Sequence, residues 1–162
     1  MTKQEFKSIF DQYFDDLRAY VFYRSGEEEL STDIAQDVFM KIWEKQIAWE
    51  GKKTLALLYK MASNQFISTY RRQKIELNYR NTLSLEIDQV SPEDKMRYNE
   101  MQSRYEKALS ELSEKQRTVF LMNRMDGLKY YEIADRLNIS VKAVEKRMWF
   151  ALRDLKLKLG VQ

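Results

Sequence analysis

The chain has 162 residues, 44% of them hydrophobic, enough for one domain of ordinary size or two small helical ones. Four glycines and a single proline leave little material for tight turns, so an all-α fold is expected over a many-stranded one. With no Cys and no His, a thiolate or imidazole zinc site, a cysteine nucleophile and a histidine base are all excluded. The formal net charge of +3 is unevenly spread: +1 over residues 1–74, −3 over 75–103 and +5 over 104–162. A positive field concentrated in one segment is the footprint of a nucleic-acid-binding part, although a solvated charged surface would give the same count.

The acids are scattered over helix surfaces and no glycine-rich phosphate loop is present, so the chain is expected to act by binding rather than as an enzyme, with no metal and no cofactor. No basic start followed by an apolar stretch opens the sequence, and no apolar run approaches membrane-spanning length. The expectation is a soluble, cytoplasmic protein.

In chain order, Thr2 and Glu5 form a capping-box pattern ahead of Phe6, Ile9, Phe10, Tyr13, Leu17, Tyr20 and Val21, which predicts a first helix to about Arg24. Gly26 and Glu27 to Glu29 are expected to break it. A second helix from about Ser31 to Gln46 carries the wide apolar stripe Ile34, Ala35, Val38, Phe39, Ile42 and Trp43. After a short loop at Gly51, a third helix from about Lys53 to Lys74 buries Leu58, Met61, Ala62 and Phe66 and ends in the basic cluster Arg71, Arg72, Lys74. These three make one bundle, with Trp43 and Trp49 read as packing residues. From Ile75 to Val90 the periodicity fades and acids outnumber bases, which reads as a flexible tether. Ser91 and Pro92 then open a helix reaching about Leu112.

The last third has a more specific pattern. Ser113 and Gln116 cap a helix over Glu114 to Asp126, with Val119, Phe120 and Met122 inward, and Gly127 stands where a left-handed C-terminal cap is needed. A short helix over Tyr130 to Leu137, a three-residue turn of Asn138, Ile139 and Ser140, and a long helix from Val141 to about Leu159, stopped by Gly160, follow. Small Ala134 permits a steep, close crossing and Ile139 plugs the corner, the arrangement of a helix-turn-helix. On the final helix Val144, Met148, Ala151, Leu152 and Leu155 are expected to face the core. The opposite face presents Lys142, Glu145, Lys146 and Trp149, flanked by Arg147 and Arg153, and can reach base edges in a major groove.

Leu112, Gln116, Arg117, Val119, Phe120, Gly127, Leu128, Glu132, Ile133, Ala134, Leu137, Ile139, Ser140, Val144, Arg147 and Leu152 together resemble region four of the bacterial extracytoplasmic-function (ECF) sigma factors. The resemblance implies that this segment reads the minus-thirty-five promoter element through Lys142, Glu145, Lys146, Arg147, Trp149 and Arg153. Lys129 departs from the pattern where a capping Ser or Thr is usual, Asn138 where Gly is usual, and Glu145 where the DNA face usually avoids an acid.

Independently, the string Asp33 to Phe39 with Lys41 and Trp43 resembles region two of the same family. There it implies docking of Asp33, Gln36, Asp37 and Lys41 on the clamp helices of core RNA polymerase. Leu58 to Ala62 with Asn64, Arg71 and Arg72 looks like the part of region two that melts and reads the minus-ten element, which implies roles for Lys60, Asn64, Arg71 and Arg72. The fold class expected is therefore all-α, two small helical domains (1–74 and 104–162) joined by a flexible linker (75–103), the second a helix-turn-helix. Partners implied are core RNA polymerase, double-stranded promoter DNA and a membrane-anchored anti-sigma factor trapping both domains, with the chain acting as a monomer. Two alternatives stay open: a stand-alone helix-turn-helix regulator, and a helical adaptor without a DNA role. The clamp-like helix argues against the first and the basic C-terminal segment against the second.

Overall fold

The computed structural model describes residues 1–72 and 92–160, with side chains described from residue 96 in the second stretch. The tether expected over 75–90 and the Ser91 cap lie outside the described residues. Seven helices and no strand occur among those described: α1 (Lys3–Ser25), α2 (Glu28–Glu44), α3 (Lys52–Arg72), α4 (Pro92–Glu111), α5 (Glu114–Arg124), α6 (Tyr130–Leu137) and α7 (Val141–Leu159).

The first lobe is the bundle of α1, α2 and α3. The Thr2 hydroxyl accepts the Glu5 amide and the Glu5 carboxylate accepts the Thr2 amide, which closes the expected capping box. Its core is rich in rings: Phe39 is buried among Phe6, Phe10 and Phe14, with centroid separations of 6.3, 5.2 and 5.9 Å. Trp43 packs on Phe6 and Trp49 stacks on Tyr13, as packing residues.

Helices α2 and α5 end two residues short of the expected Gln46 and Asp126, and the largest difference from the sequence expectation is at the start of α2. Helix α2 begins at Glu28 rather than about Ser31, because the acids read as a breaker form its first turn, where carboxylates complement the positive end of the helix dipole. Ser31 lies inside the helix and is buried, and its hydroxyl donates back to the Glu27 carbonyl at 2.6 Å.

The second lobe is α4 to α7. Ser113 accepts the Gln116 amide and Ser140 the Ala143 amide, opening α5 and α7. Lys129 offers no side-chain acceptor, yet the Glu132 carboxylate still reaches back to its amide at 3.0 Å. Asn138 adopts φ +55°, a left-handed conformation that Asn tolerates better than most residues, so the turn forms without the usual glycine. The Ile139 amide then donates to the Ala134 carbonyl and closes the corner.

Leu152 is a correction. It is 40% exposed rather than in the core, because it sits at the edge of the stripe formed by Val144, Met148, Ala151 and Leu155, all buried.

The two lobes pack against each other, α5 on α1 and α6 on α3, and their buried residues form one continuous cluster. The joint is also polar. Arg117 on α5 is buried, and its guanidinium donates to the carbonyls of Tyr23, Arg24 and Leu112, satisfying the otherwise open C-terminal end of α1.

Candidate nucleic-acid interface

On α7 the residues Lys142, Glu145, Lys146 and Trp149 are exposed on the side opposite the buried stripe. Trp149 is 61% exposed, far more than a packing role would leave open. Arg147 is turned to one flank, half-buried, and lines a cleft between the lobes. Arg153 is exposed but engaged: it donates twice to Asp154, at 3.0 and 2.8 Å, and its guanidinium lies over the rings of Phe150 and Trp149. The outward face therefore brings together two lysines, a glutamate and an indole, with Arg147 at its side and Arg153 held next to the indole.

On α3, Lys60, Asn64 and Arg71 fall on one exposed stripe at helical steps of four and seven, with Ile67 between them; Arg72 is exposed a third of a turn away. Lysines and arginines so spaced can neutralise successive phosphates, and the Asn64 amide can pair with an unstacked base. On α2, Asp33, Gln36, Asp37 and Lys41 are all exposed. Asp37 accepts a hydrogen bond from Gln65 of α3 at 2.8 Å, so the acidic face is braced against the basic helix.

Beside that face runs an apolar groove of about 630 Å³, lined by Phe6, Phe10, Phe39, Met40 and Trp43 with Lys3 and Gln36 at its rim. The sequence pattern did not reveal it, because Met40 reads as one isolated apolar residue on a polar face. Nor did it reveal a second group of residues bridging the lobes. Arg136 of α6 donates to Asp16 at 2.9 Å and to the Tyr59 hydroxyl at 3.1 Å, and Tyr23 donates to Asp126 at 2.5 Å. Burial, reinforced by the Asp16 charge and opposed by the Tyr23 hydrogen bond, pushes the Asp126 carboxyl up to about 6. Burial also raises the Tyr23 and Tyr59 hydroxyls, so both stay protonated and able to donate.

A lobe with an acidic face braced against a basic stripe, joined to a helix-turn-helix with a cationic outer face, defines a two-lobed helical DNA-binding protein. The sigma-70 family accounts for both lobes: its region 2 matches residues 9–75 and its region 4 matches residues 102–155. The chain belongs to that family, as an ECF-type sigma factor that directs transcription initiation. It is 27% identical over 143 residues to the ferric citrate uptake sigma factor FecI of Escherichia coli (strain K12), covering 87% of this chain and 83% of that protein. It is 27% identical over 154 residues to the ECF RNA polymerase sigma factor SigW of Bacillus subtilis (strain 168), covering 88% and 82%. The fold matches that of the sigma factor RpoE from Bartonella quintana, solved in complex with the anti-sigma factor NepR, with a TM-score of 0.64 and 24% identity over 98% of this chain and 99% of that one. Among the described residues no helix is long and apolar enough to cross a membrane, and no acidic cluster has the form of a metal site.

Proposed function

We propose that the chain divides the work of a sigma factor between its lobes as follows. Residues 1–74 dock on core RNA polymerase through Asp33, Gln36, Asp37 and Lys41 of α2 and engage the minus-ten element through Lys60, Asn64, Arg71 and Arg72 of α3. Residues 104–162 read the minus-thirty-five element through Lys142, Glu145, Lys146 and Trp149, with Arg147 and Arg153 on phosphates, and residues 75–103 link the two. The observation that carries this reading is the separation of charge within the first lobe. Helix α2 turns acids and an amide outward while its neighbour α3 turns a basic stripe outward, so one small bundle offers a protein-binding face and a DNA-binding face together.

The apolar groove at Met40 and Trp43 adjoins Gln36 and suits the apolar stem of a partner helix, which supports α2 as the docking element. The chain works by binding, in the cytoplasm where polymerase and promoter are found, and as a single copy. An anti-sigma factor anchored in the membrane is its proposed inhibitor; the complex formed by the Bartonella sigma factor supports an anti-sigma partner, without bearing on the anchor.

The test is run-off transcription with core polymerase, with and without the protein, together with co-elution of the two. Promoter-specific transcripts that need both components support the reading. Duplex binding by the chain alone, without co-elution, contradicts it and favours a stand-alone regulator.

A further inference from the structure

We propose that Glu145 is a specificity residue of α7: its carboxylate accepts from the exocyclic amino group of a cytosine in the upstream promoter element and so selects a C·G pair there. The inference rests on the reading of α7 as the helix that enters the major groove.

Nothing in the fold accounts for Glu145. It lies beyond the first turn of α7, where an acid would complement the helix dipole, and Ser140 already caps that helix. Its neighbours one turn away on α7 are Val141 and Lys142 before it and Met148 and Trp149 after it. Lys142 stands on the N-terminal side, the poorer order for a helical Lys–Glu pair. Among the described residues Glu145 makes no hydrogen bond and no ion pair, and its side chain is exposed. An unpaired acid on a face that approaches phosphates is repelled by them, so it weakens binding to every site that does not meet it with a donor.

The rest of the face says which donor. By helical periodicity Glu145 and Lys146 lie at opposite edges of an outward face roughly 100° wide, with Lys142 and Trp149 between them. One edge therefore calls for a donor, and the lysines call for acceptors. In the major groove only cytosine N4 and adenine N6 donate. Adenine sets its N7 acceptor beside the amino group, which repels a carboxylate, and guanine and thymine present no donor at all. In a C·G pair the cytosine amino group lies beside guanine O6 and N7, which suit a lysine ammonium. The change of sign across α7 matches the change from donor to acceptor across that pair.

Trp149 sharpens the choice. Its indole meets Phe150 edge-on at 5.1 Å, and Arg153, tied to Asp154, lies over it at 5.6 Å. The ring is thus held one turn from Glu145, where it shields the carboxylate from water once α7 is in the groove. A carboxylate so shielded loses more on meeting an acceptor than one left solvated.

The test uses the full chain with core polymerase and a promoter library randomised only in the upstream element, and the bound templates are sequenced. Wild type should favour cytosine at one position by roughly tenfold, within the range of a good base contact. Glu145→Gln should move the preference at that position to adenine, because an amide pairs with adenine N6 and N7 together. Glu145→Ala should erase the preference there and leave the other positions as they were. Lys146→Ala is run alongside, and each variant is checked for unchanged helical CD.

Identical preferences in wild type, Glu145→Gln and Glu145→Ala overturn the inference and leave Glu145 a solvated surface residue. A position that responds to Glu145 but favours another base in wild type overturns the cytosine assignment. Tighter binding of all templates alike by Glu145→Ala, with the preference kept, reduces Glu145 to a general repulsive charge and also overturns it. In each of these cases a changed preference in Lys146→Ala leaves the reading of α7 standing. No sequence preference from any form of the protein sinks that reading and the inference with it.

Discussion

The two lobes fill their interiors differently. In the first, large rings dominate: Phe39, Phe66, Tyr20, Tyr23 and Tyr59 are buried, with Phe6, Phe10, Phe14 and Trp49 packed around them. In the second, Phe120 is the one buried ring among the described residues, and the rest of the buried set is small, aliphatic or thioether, with Ala134, Ile133, Val144, Met148 and Ala151 on α6 and α7. Rings supply area and fix the spacing of long helices, whereas a steep crossing needs side chains short enough for the backbones to approach. The difference extends to the working faces. The exposed face of α2 is tied to its neighbour through Asp37 and Gln65, while Lys142 and Lys146 of α7 project from a helix packed only along the other side. The face proposed for docking is thus tied to its neighbour, and the face proposed for reading projects from one helix alone.

Substitutions in the two interiors should therefore fail in opposite ways. Phe39→Ala removes the ring on which three others pack and should cost about 4 kcal/mol, measured by urea unfolding. Ala151→Leu adds volume at a fully buried position and should cost about 2 kcal/mol through overpacking. If Ala151→Leu is neutral, the second lobe has slack that the contrast denies.

On the reading face, Lys146→Ala should reduce discrimination between cognate and scrambled upstream duplex by about 1–2 kcal/mol at one base position. Arg147→Ala should instead weaken all sequences alike and lower the salt slope by about one, as expected of a phosphate contact made at the flank. Equal loss on both duplexes for Lys146→Ala would make Lys146 another phosphate anchor and erase the distinction between face and flank.

The smallest expected effect is on pH. Asp126 sits between Tyr23 and Asp16 of α1 and Arg136 of α6, and burial holds its pKa at about 6, above the ordinary carboxylate value. A carboxyl raised in the packed form favours that form when protonated; its contribution is full below the ordinary pKa and lost as pH rises through about 6. Shifting from pH ~7.5 to ~5 should stabilise contact between the lobes by about 1 kcal/mol, and Asp126→Asn should flatten the dependence. A wild-type profile as flat as that of Asp126→Asn would remove Asp126 from the account.

What could be read in the sequence follows the range of the interactions involved. The caps at Thr2 and Ser113, the turn at Asn138 to Ser140 and the limits of α6 and α7 depend on residues three or four apart and were legible, whereas Ser140, read only as a turn residue, also caps α7. So was the outward placement of Asp33, Gln36, Lys142, Lys146 and Trp149, which periodicity alone determines. The start of α2 was misjudged because three acids read equally well as a breaker or as a dipole-stabilised first turn. The polar joint was invisible for a different reason. Tyr23 and Asp126 lie 103 positions apart, Asp16 and Arg136 lie 120 apart, and each alone reads as a solvated charge or a half-buried ring. Arg117 belongs to the same class: only the end of α1, brought alongside it by folding, explains a buried guanidinium.

The division of labour between the lobes is tested most directly by run-off transcription from one cognate template, using core polymerase with wild type, Asp33→Ala and Lys146→Ala in parallel. Asp33 makes no hydrogen bond or ion pair among the described residues, so its replacement leaves the bundle intact. Asp33→Ala should need more protein to saturate core and then give transcripts of normal promoter preference. Lys146→Ala should saturate core normally and lose preference for the upstream element. Normal core saturation by Asp33→Ala, or impaired saturation by Lys146→Ala, would contradict the assignment of docking to α2 and reading to α7.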